Sequence, residues 1–216
     1  MKLAVRFISV GFLGLVFASA ASAVTSPMMV GDFMAEPSQT LQTKAKSWSD
    51  PAFGDMGWTH NSGWGKFEAT AGQLITIKAV SSNRNIHPGI TVWYRGDADT
   101  IDDNYVADHF YPQNSNLFVM GAKDETTGET LGNLVMKIIA FGYDKDKNTG
   151  SIEGLPASAG KKDKVPGQLI LNFKAKKTGT YMFVLGGFNP GPKTVDTAIK
   201  YGVVTDVTIT DPVATP

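Results

Sequence analysis

Two stretches of this chain alternate apolar and polar side chains with a period of two, and that alternation constrains the fold more than any other feature. Ile75, Ile77 and Ala79 are separated by Thr76 and Lys78, while Leu169, Leu171 and Phe173 are set against Gln168, Asn172 and Lys174. Only an extended strand places every second residue on one face, so each stretch predicts a strand with one buried and one wet side. Lys177-Thr178-Gly179 makes a turn ahead of Tyr181-Met-Phe-Val-Leu185. Further strands are expected at 89–94, 117–120, 134–143, 180–185 and 203–210. Residues 64–70 and 73–80 flank Ala71-Gly72, a two-residue break that suits a hairpin. Residues 24–50 read as an irregular lead-in ending in one early strand. Leu134 to Ile139 could equally be a buried helix, because a short apolar run does not decide by periodicity alone. Thr194 to Tyr201 is the other helical candidate. Short strands punctuated by Gly and Pro, with no sustained helical period, predict an all-β fold. The expected form is an antiparallel β-sandwich, jelly-roll or immunoglobulin-like, with long loops at 97–112 and 144–166 and at most one or two short helices.

Lys2 and Arg6 precede the apolar run Phe7 to Phe17, and Ala18-Ser-Ala-Ala-Ser-Ala23 follows it. A charged start, a short apolar core and an A-x-A site predict a signal peptide over 1–23, with the mature chain beginning at Val24. The apolar run is shorter than the ~20 residues a spanning helix needs, and no later stretch approaches that length. The exported remainder, 24–216, is of a size for a single domain with one core. Without Lys2 and Arg6, the 20 basic residues fall to 18 against 20 acidic ones. A near-neutral surface of this kind does not point to nucleic acid or an anionic membrane as partner. There is no cysteine, which excludes disulfides and thiolate metal sites.

Enzyme signatures are missing: there is no G-x-S-x-G elbow, no Rossmann or P-loop fingerprint and no H-E-x-x-H. Binding is the better reading. Trp58 and His60 lie in the glycine-rich stretch Gly57-Trp-Thr-His-Asn-Ser-Gly-Trp-Gly65. In an extended segment, residues i and i+2 share a side with Cα atoms roughly 7 Å apart, so these two side chains can converge on one small ligand. Only three histidines exist, His60, His87 and His109, and neutral imidazole is the commonest metal ligand. For each, the plain alternative is a structural histidine bonded to a carbonyl or capping a strand. The tryptophans allow another function, a carbohydrate-binding or adhesion module using Trp48, Trp58 and Trp64 as a stacking platform, whereas Trp93 reads as core. Asp144 to Gly150 spaces oxygens somewhat as calcium loops do. Its glycine and following acid fall at the wrong positions for an EF-hand, and Lys145 and Lys147 oppose a cation. A solvated turn is the default there, and calcium the alternative. The acidic loop Asp97, Asp99, Asp102 and Asp103 carries the same default.

Trp58-x-His60, a distant second histidine, the signal peptide and the lack of cysteine resemble the MopE/CorA group of surface-associated copper-binding proteins of methane-oxidising bacteria, closest to its shorter, CorA-like members. The resemblance implies Cu(I) held by two histidines and by a kynurenine formed from the tryptophan two residues before the first of them. Carried onto this chain, Trp58 is the kynurenine precursor, His60 the first imidazole and His109 the second, with His87 the competing choice. His109 is preferred because Asp108 beside it could orient the ring. The implied role is copper acquisition or storage at the cell surface, outer membrane-associated or secreted, without catalysis and with an unidentified protein as copper acceptor. The chemistry agrees: where thiolates are missing, imidazoles are the next ligands for soft Cu(I). An intact indole offers an N–H and no lone pair, so Trp58 ligates only after ring opening.

Overall fold

The computed structural model describes residues 30–47, 61–97, 99–110, 118–124, 127–128, 130–132, 134–147, 157–188 and 195–212. Among the described residues, eleven strands and one α-helix are formed in the order β1 (Val30–Asp32), β2 (Ser38–Lys44), β3 (Lys46–Ser47), β4 (Gly63–Ala69), β5 (Leu74–Ser81), β6 (His87–Gly96), α1 (Asp103–His109), β7 (Lys137–Asp144), β8 (Gly160–Lys161), β9 (Gln168–Lys174), β10 (Gly179–Phe188) and β11 (Lys200–Thr210). They build an all-β sandwich of two sheets. The larger runs β1-β4-β10-β6-β7-β8, with β3 also on β10, and the smaller runs β2-β11-β5-β9. Pairing is antiparallel throughout except for the short edge pairs β1/β4 and β7/β8, which are parallel.

The two alternating stretches face each other in the smaller sheet, where β5 pairs β9 with Ile77 opposite Leu171. Their apolar faces meet Phe67 of β4, Ile90 and Val92 of β6, and Tyr181, Phe183 and Leu185 of β10 in one core between the sheets. Alternation in β6 and β10 is hidden in the sequence because their other faces are buried too. Trp93 of β6, Met182 and Val184 of β10 and Trp64 of β4 form a second cluster on the outer side, covered by Val106 and Ala107 of α1, Phe118, Leu131 and Leu134. All ten residues of β6 are buried. The molecule therefore has three layers, with the larger sheet in the middle.

Several elements differ from expectation. Strands β4 and β5 do not form a hairpin; they lie in different sheets. Ala71-Gly72 instead passes the chain across the sandwich, with Gly72 at φ +102°. Its N–H donates to the Ala175 carbonyl at 2.8 Å, and Ala175 N–H donates to Gln73 O at 2.9 Å, stitching the turn to the end of β9. The turn at Gly179 makes the reverse crossing at φ +139°, where an added Cβ would stand 2.4 Å from the Gly96 carbonyl oxygen; glycine alone fits. Phe118 to Met120 form a bend rather than a strand, and Leu117 lies outside the described residues. The run from Leu134 is not helical: β7 begins at Lys137, and Leu134 plugs the outer cluster. Residues 195–199 are turn and bend before β11, not helix, and Thr194 is outside the described residues. The lead-in holds three strands instead of one. Residues 1–23, the expected signal peptide, lie outside the described residues, and among those described no helix is long and apolar enough to cross a membrane.

Candidate metal centre

The helix that carries His109 begins with a cap and is fastened at both ends. Asp102 accepts the backbone N–H groups of Asn104 at 2.9 Å and Tyr105 at 3.0 Å, satisfying two of the donors left open at a helix start. The next residue, Asp103, is bonded by Arg95 of β6 and by Lys66 of β4, the latter at 2.7 Å. Arg95 is fully buried; it also bonds Asp99 and donates to the Ile101 carbonyl at 3.0 Å. Three acids of that loop, Asp99, Asp102 and Asp103, are thus consumed in seating α1 on the larger sheet. At the far end, Phe110 packs edge-on against Trp93 at 4.9 Å, Trp64 at 6.5 Å and Phe118 at 4.7 Å.

His109 is the last residue of α1, with 38% of its side chain exposed. Its Nδ1 lies 2.9 Å from the Tyr105 carbonyl oxygen. A carbonyl can only accept, so Nδ1–H is the donor, and in the neutral ring that leaves the lone pair on Nε2. The Tyr105 ring stacks on the imidazole with centroids 4.1 Å apart and planes at 15°. Asp108, expected to orient this ring, has its carboxylate 3.9 Å from Nδ1, beyond hydrogen-bond reach; the backbone carbonyl has that role. The Tyr105 phenol is bonded to Asp124. Burial and then that bond push the phenol pKa up to about 12. Neither Tyr105 nor Asp124 stood out in the sequence, although Tyr105 precedes His109 by four residues, the spacing that meets on a helix face.

His87 is built differently. It is buried, and its Nδ1 lies 2.7 Å from Asp144 Oδ2. Asp144 also accepts Gly167 N–H at 2.7 Å and Asp146 N–H at 2.8 Å. The imidazole therefore ties the start of β6 to the end of β7 and the approach to β9. Beside it is a small open cavity of about 160 Å³ lined by Arg84, Asn85, Lys147 and Pro166, where two cationic side chains disfavour a metal cation. Asp146 accepts the N–H groups of Asp163 and Lys164, both at 2.6 Å. A calcium ion in this loop would have to displace those donors, and residues 148–150 of it lie outside the described residues.

Trp58, His60 and Trp48 also lie outside the described residues. Trp64 does not belong to an exposed platform: it is 1% exposed and stacked on Trp93 at 5.7 Å. Its indole N–H has no partner among the described residues. No group of three or more His, Asp or Glu side chains among the described residues is arranged to hold a metal, so a centre built on His109 must draw its other ligands from elsewhere in the chain.

Two solved structures share this architecture. CorA, a surface-associated copper-binding protein important in Methylomicrobium album BG8 copper acquisition, is 28% identical, with a TM-score of 0.63 over 85% of this chain and 98% of that one. MopE, a secreted protein of Methylococcus capsulatus in which an oxidized tryptophan facilitates copper binding, shares the fold at 18% identity. Its TM-score is 0.52, covering 82% of this chain and 86% of that one. Among curated proteins, nothing matches the chain. The family described as Copper(I)-binding protein CorA-like matches residues 19–194. That span takes in every strand but β11, together with helix α1 and all three histidines, and the chain belongs to this copper-binding family.

Proposed function

We propose that this chain is an exported, single-domain protein that holds one Cu(I) ion through the imidazoles of His60 and His109 and the aryl amine of a kynurenine made from Trp58. Its role is acquisition or storage of copper at the cell surface or in secreted form, with release to a copper-accepting protein and no turnover of its own. The observation that carries the ligand assignment is the Nδ1–H bond from His109 to the Tyr105 carbonyl. An imidazole that ligates through one nitrogen commonly donates its other N–H to such an acceptor. Position supports it as well. Phe110, next to His109, packs on Trp64, and four residues of chain hold the His60 Cα within about 14 Å of the Trp64 Cα.

The remaining chemistry follows from the ligand types. Ring opening of Trp58 by a dioxygen-class oxidant, followed by hydrolytic loss of formate, converts an indole nitrogen without a usable lone pair into an aryl amine that has one. Two imidazoles and an amine, with no thiolate, suit a soft monovalent ion that accepts low coordination.

The test is a Cu(I) competition titration of native protein and of His60→Ala, His109→Ala and His87→Ala. Loss of tight binding in the first two and its retention in the third is the expected pattern. Full affinity in both His60→Ala and His109→Ala rejects the assignment. Peptide mass spectrometry of the native protein tests the third ligand: a gain of two oxygens and loss of one carbonyl at Trp58 supports kynurenine, and an unmodified peptide from copper-loaded protein sinks the three-ligand centre.

A further inference from the structure

The contacts of Tyr105 and Asp124 go beyond what helix formation needs. Any residue at position 105 would offer its carbonyl to the His109 side chain. What tyrosine adds is a plate 4.1 Å from the imidazole and nearly parallel to it, and a phenol that anchors that plate to Asp124. Asp124 is itself held in a turn: its side chain accepts Thr127 N–H at 2.8 Å and its carbonyl accepts Gly128 N–H at 2.8 Å. Restraint therefore passes from the bonds that Thr127 and Gly128 make to Asp124, through the phenol to the stacked ring, and from there to His109.

We infer that Tyr105 and Asp124 form a clamp that positions His109 for Cu(I), setting the plane of its ring and holding its proton on Nδ1. The inference rests on the ligand reading above for the identity of the ion. An imidazole free to rotate samples two ring flips and two tautomers, and only one combination offers Nε2 while satisfying Nδ1–H. Stacking limits the rotation and keeps Nδ1 facing the Tyr105 carbonyl, which selects the tautomer only while the ring is held in that plane, so the ordering cost of binding is met before the ion arrives. Tyr105 does not touch the ion; it is a positioning residue.

The tautomer is read in copper-free protein by ¹⁵N NMR of the His109 ring, at a pH where the ring is neutral, beside a Cu(I) competition titration. The native protein is expected to show the Nδ1–H form. Tyr105→Leu, which removes both the plate and its anchor, is expected to lose that preference and to bind Cu(I) about 10- to 100-fold more weakly. Tyr105→Phe keeps the plate but loses its anchor, so it is expected to fall between the native protein and Tyr105→Leu in both properties, and Asp124→Asn to behave like it. A Tyr105→Leu protein with native ¹⁵N pattern and native affinity overturns the clamp. If Tyr105→Leu does not fold, Tyr105→Phe and Asp124→Asn decide, and native tautomer and affinity in both overturn the anchored clamp. Undiminished Cu(I) affinity in His109→Ala refutes the ligand reading instead, and the ring pattern in the Tyr105 variants still reports the clamp separately.

Discussion

His87 and His109 are the same side chain put to two uses, and the partner of Nδ1 separates them. His109 gives its Nδ1–H to a carbonyl four residues back, at a half-exposed helix end. The His87 ring is spent inside the protein on Asp144, a carboxylate with no exposed surface. Replacing His87 by alanine leaves that carboxylate one contact short. Loss of a hydrogen bond to a charged group costs about 1.5–3 kcal/mol, so His87→Ala is expected to lower the denaturant midpoint by a corresponding amount while leaving Cu(I) affinity intact. Chemical denaturation beside a copper titration checks this, and a weakened copper site in a stable His87→Ala protein would count against it. The scarcity of histidine made all three visible in the sequence. Their difference was not visible, because the contact that decides the matter for His87 comes from 57 residues away.

Helix α1 is the element on which the proposed centre depends, and seven residues are too few to show a helical period. The legible signal was Asp102, a good N-cap, lost among neighbouring aspartates that read as a solvated acidic loop. Those acids are instead the seat of the helix, with Arg95 between Asp99 and Asp103. Removing one partner of a buried ion pair is strongly destabilising, by about 3–5 kcal/mol. Arg95→Leu is therefore expected to free α1 from β6 and weaken Cu(I) binding along with stability. Asp102→Ala should cost only about 1 kcal/mol, and equal effects from the two would sink this ranking. A comparable junction is the Asp146 carboxyl, which joins the end of β7 to the segment at 163–164. Burial would raise its pKa, but N–H groups of Asp163 and Lys164 outweigh that and hold it below its ordinary 3.8. A lowered folded value stabilises the native state above pH 3.8, and that contribution fades as pH falls through the folded value. An acid titration followed by NMR should show this junction loosening below pH 3.8, with the dependence absent from Asp146→Asn. Ala71-Gly72 has hairpin chemistry, but its N–H and the carbonyl beside it are taken by Ala175, in the other arm of the smaller sheet.

At the scale of the whole molecule, the three layers divide the labour. The smaller sheet and the inner face of the larger one hold the main core, and the outer face of the larger sheet carries the tryptophan cluster and α1. The alternating stretches of β5 and β9 announced the sandwich because each has one wet face, whereas β6 and β10 concealed the third layer by being buried on both. With no cysteine, no covalent link reinforces the outer layer. An ion bound through His60 and His109 would supply one, joining the segment before β4 to the end of α1. Ligand that binds only the native state stabilises it by about 2.7 kcal/mol when free ligand is 100 times Kd. The gain should appear where the new link acts. Hydrogen exchange with and without Cu(I), under reducing conditions, is expected to slow in α1 and in the residues leading into β4, while exchange in β2, β5, β9 and β11 changes little. Protection spread evenly over both sheets would mean that copper stabilises the fold as one unit, and protection confined to the loops around His87 would move the ion to the opposite histidine. Slowing confined to the outer layer would place the ion's grip where the sheet is thinnest in chemistry and richest in aromatic packing.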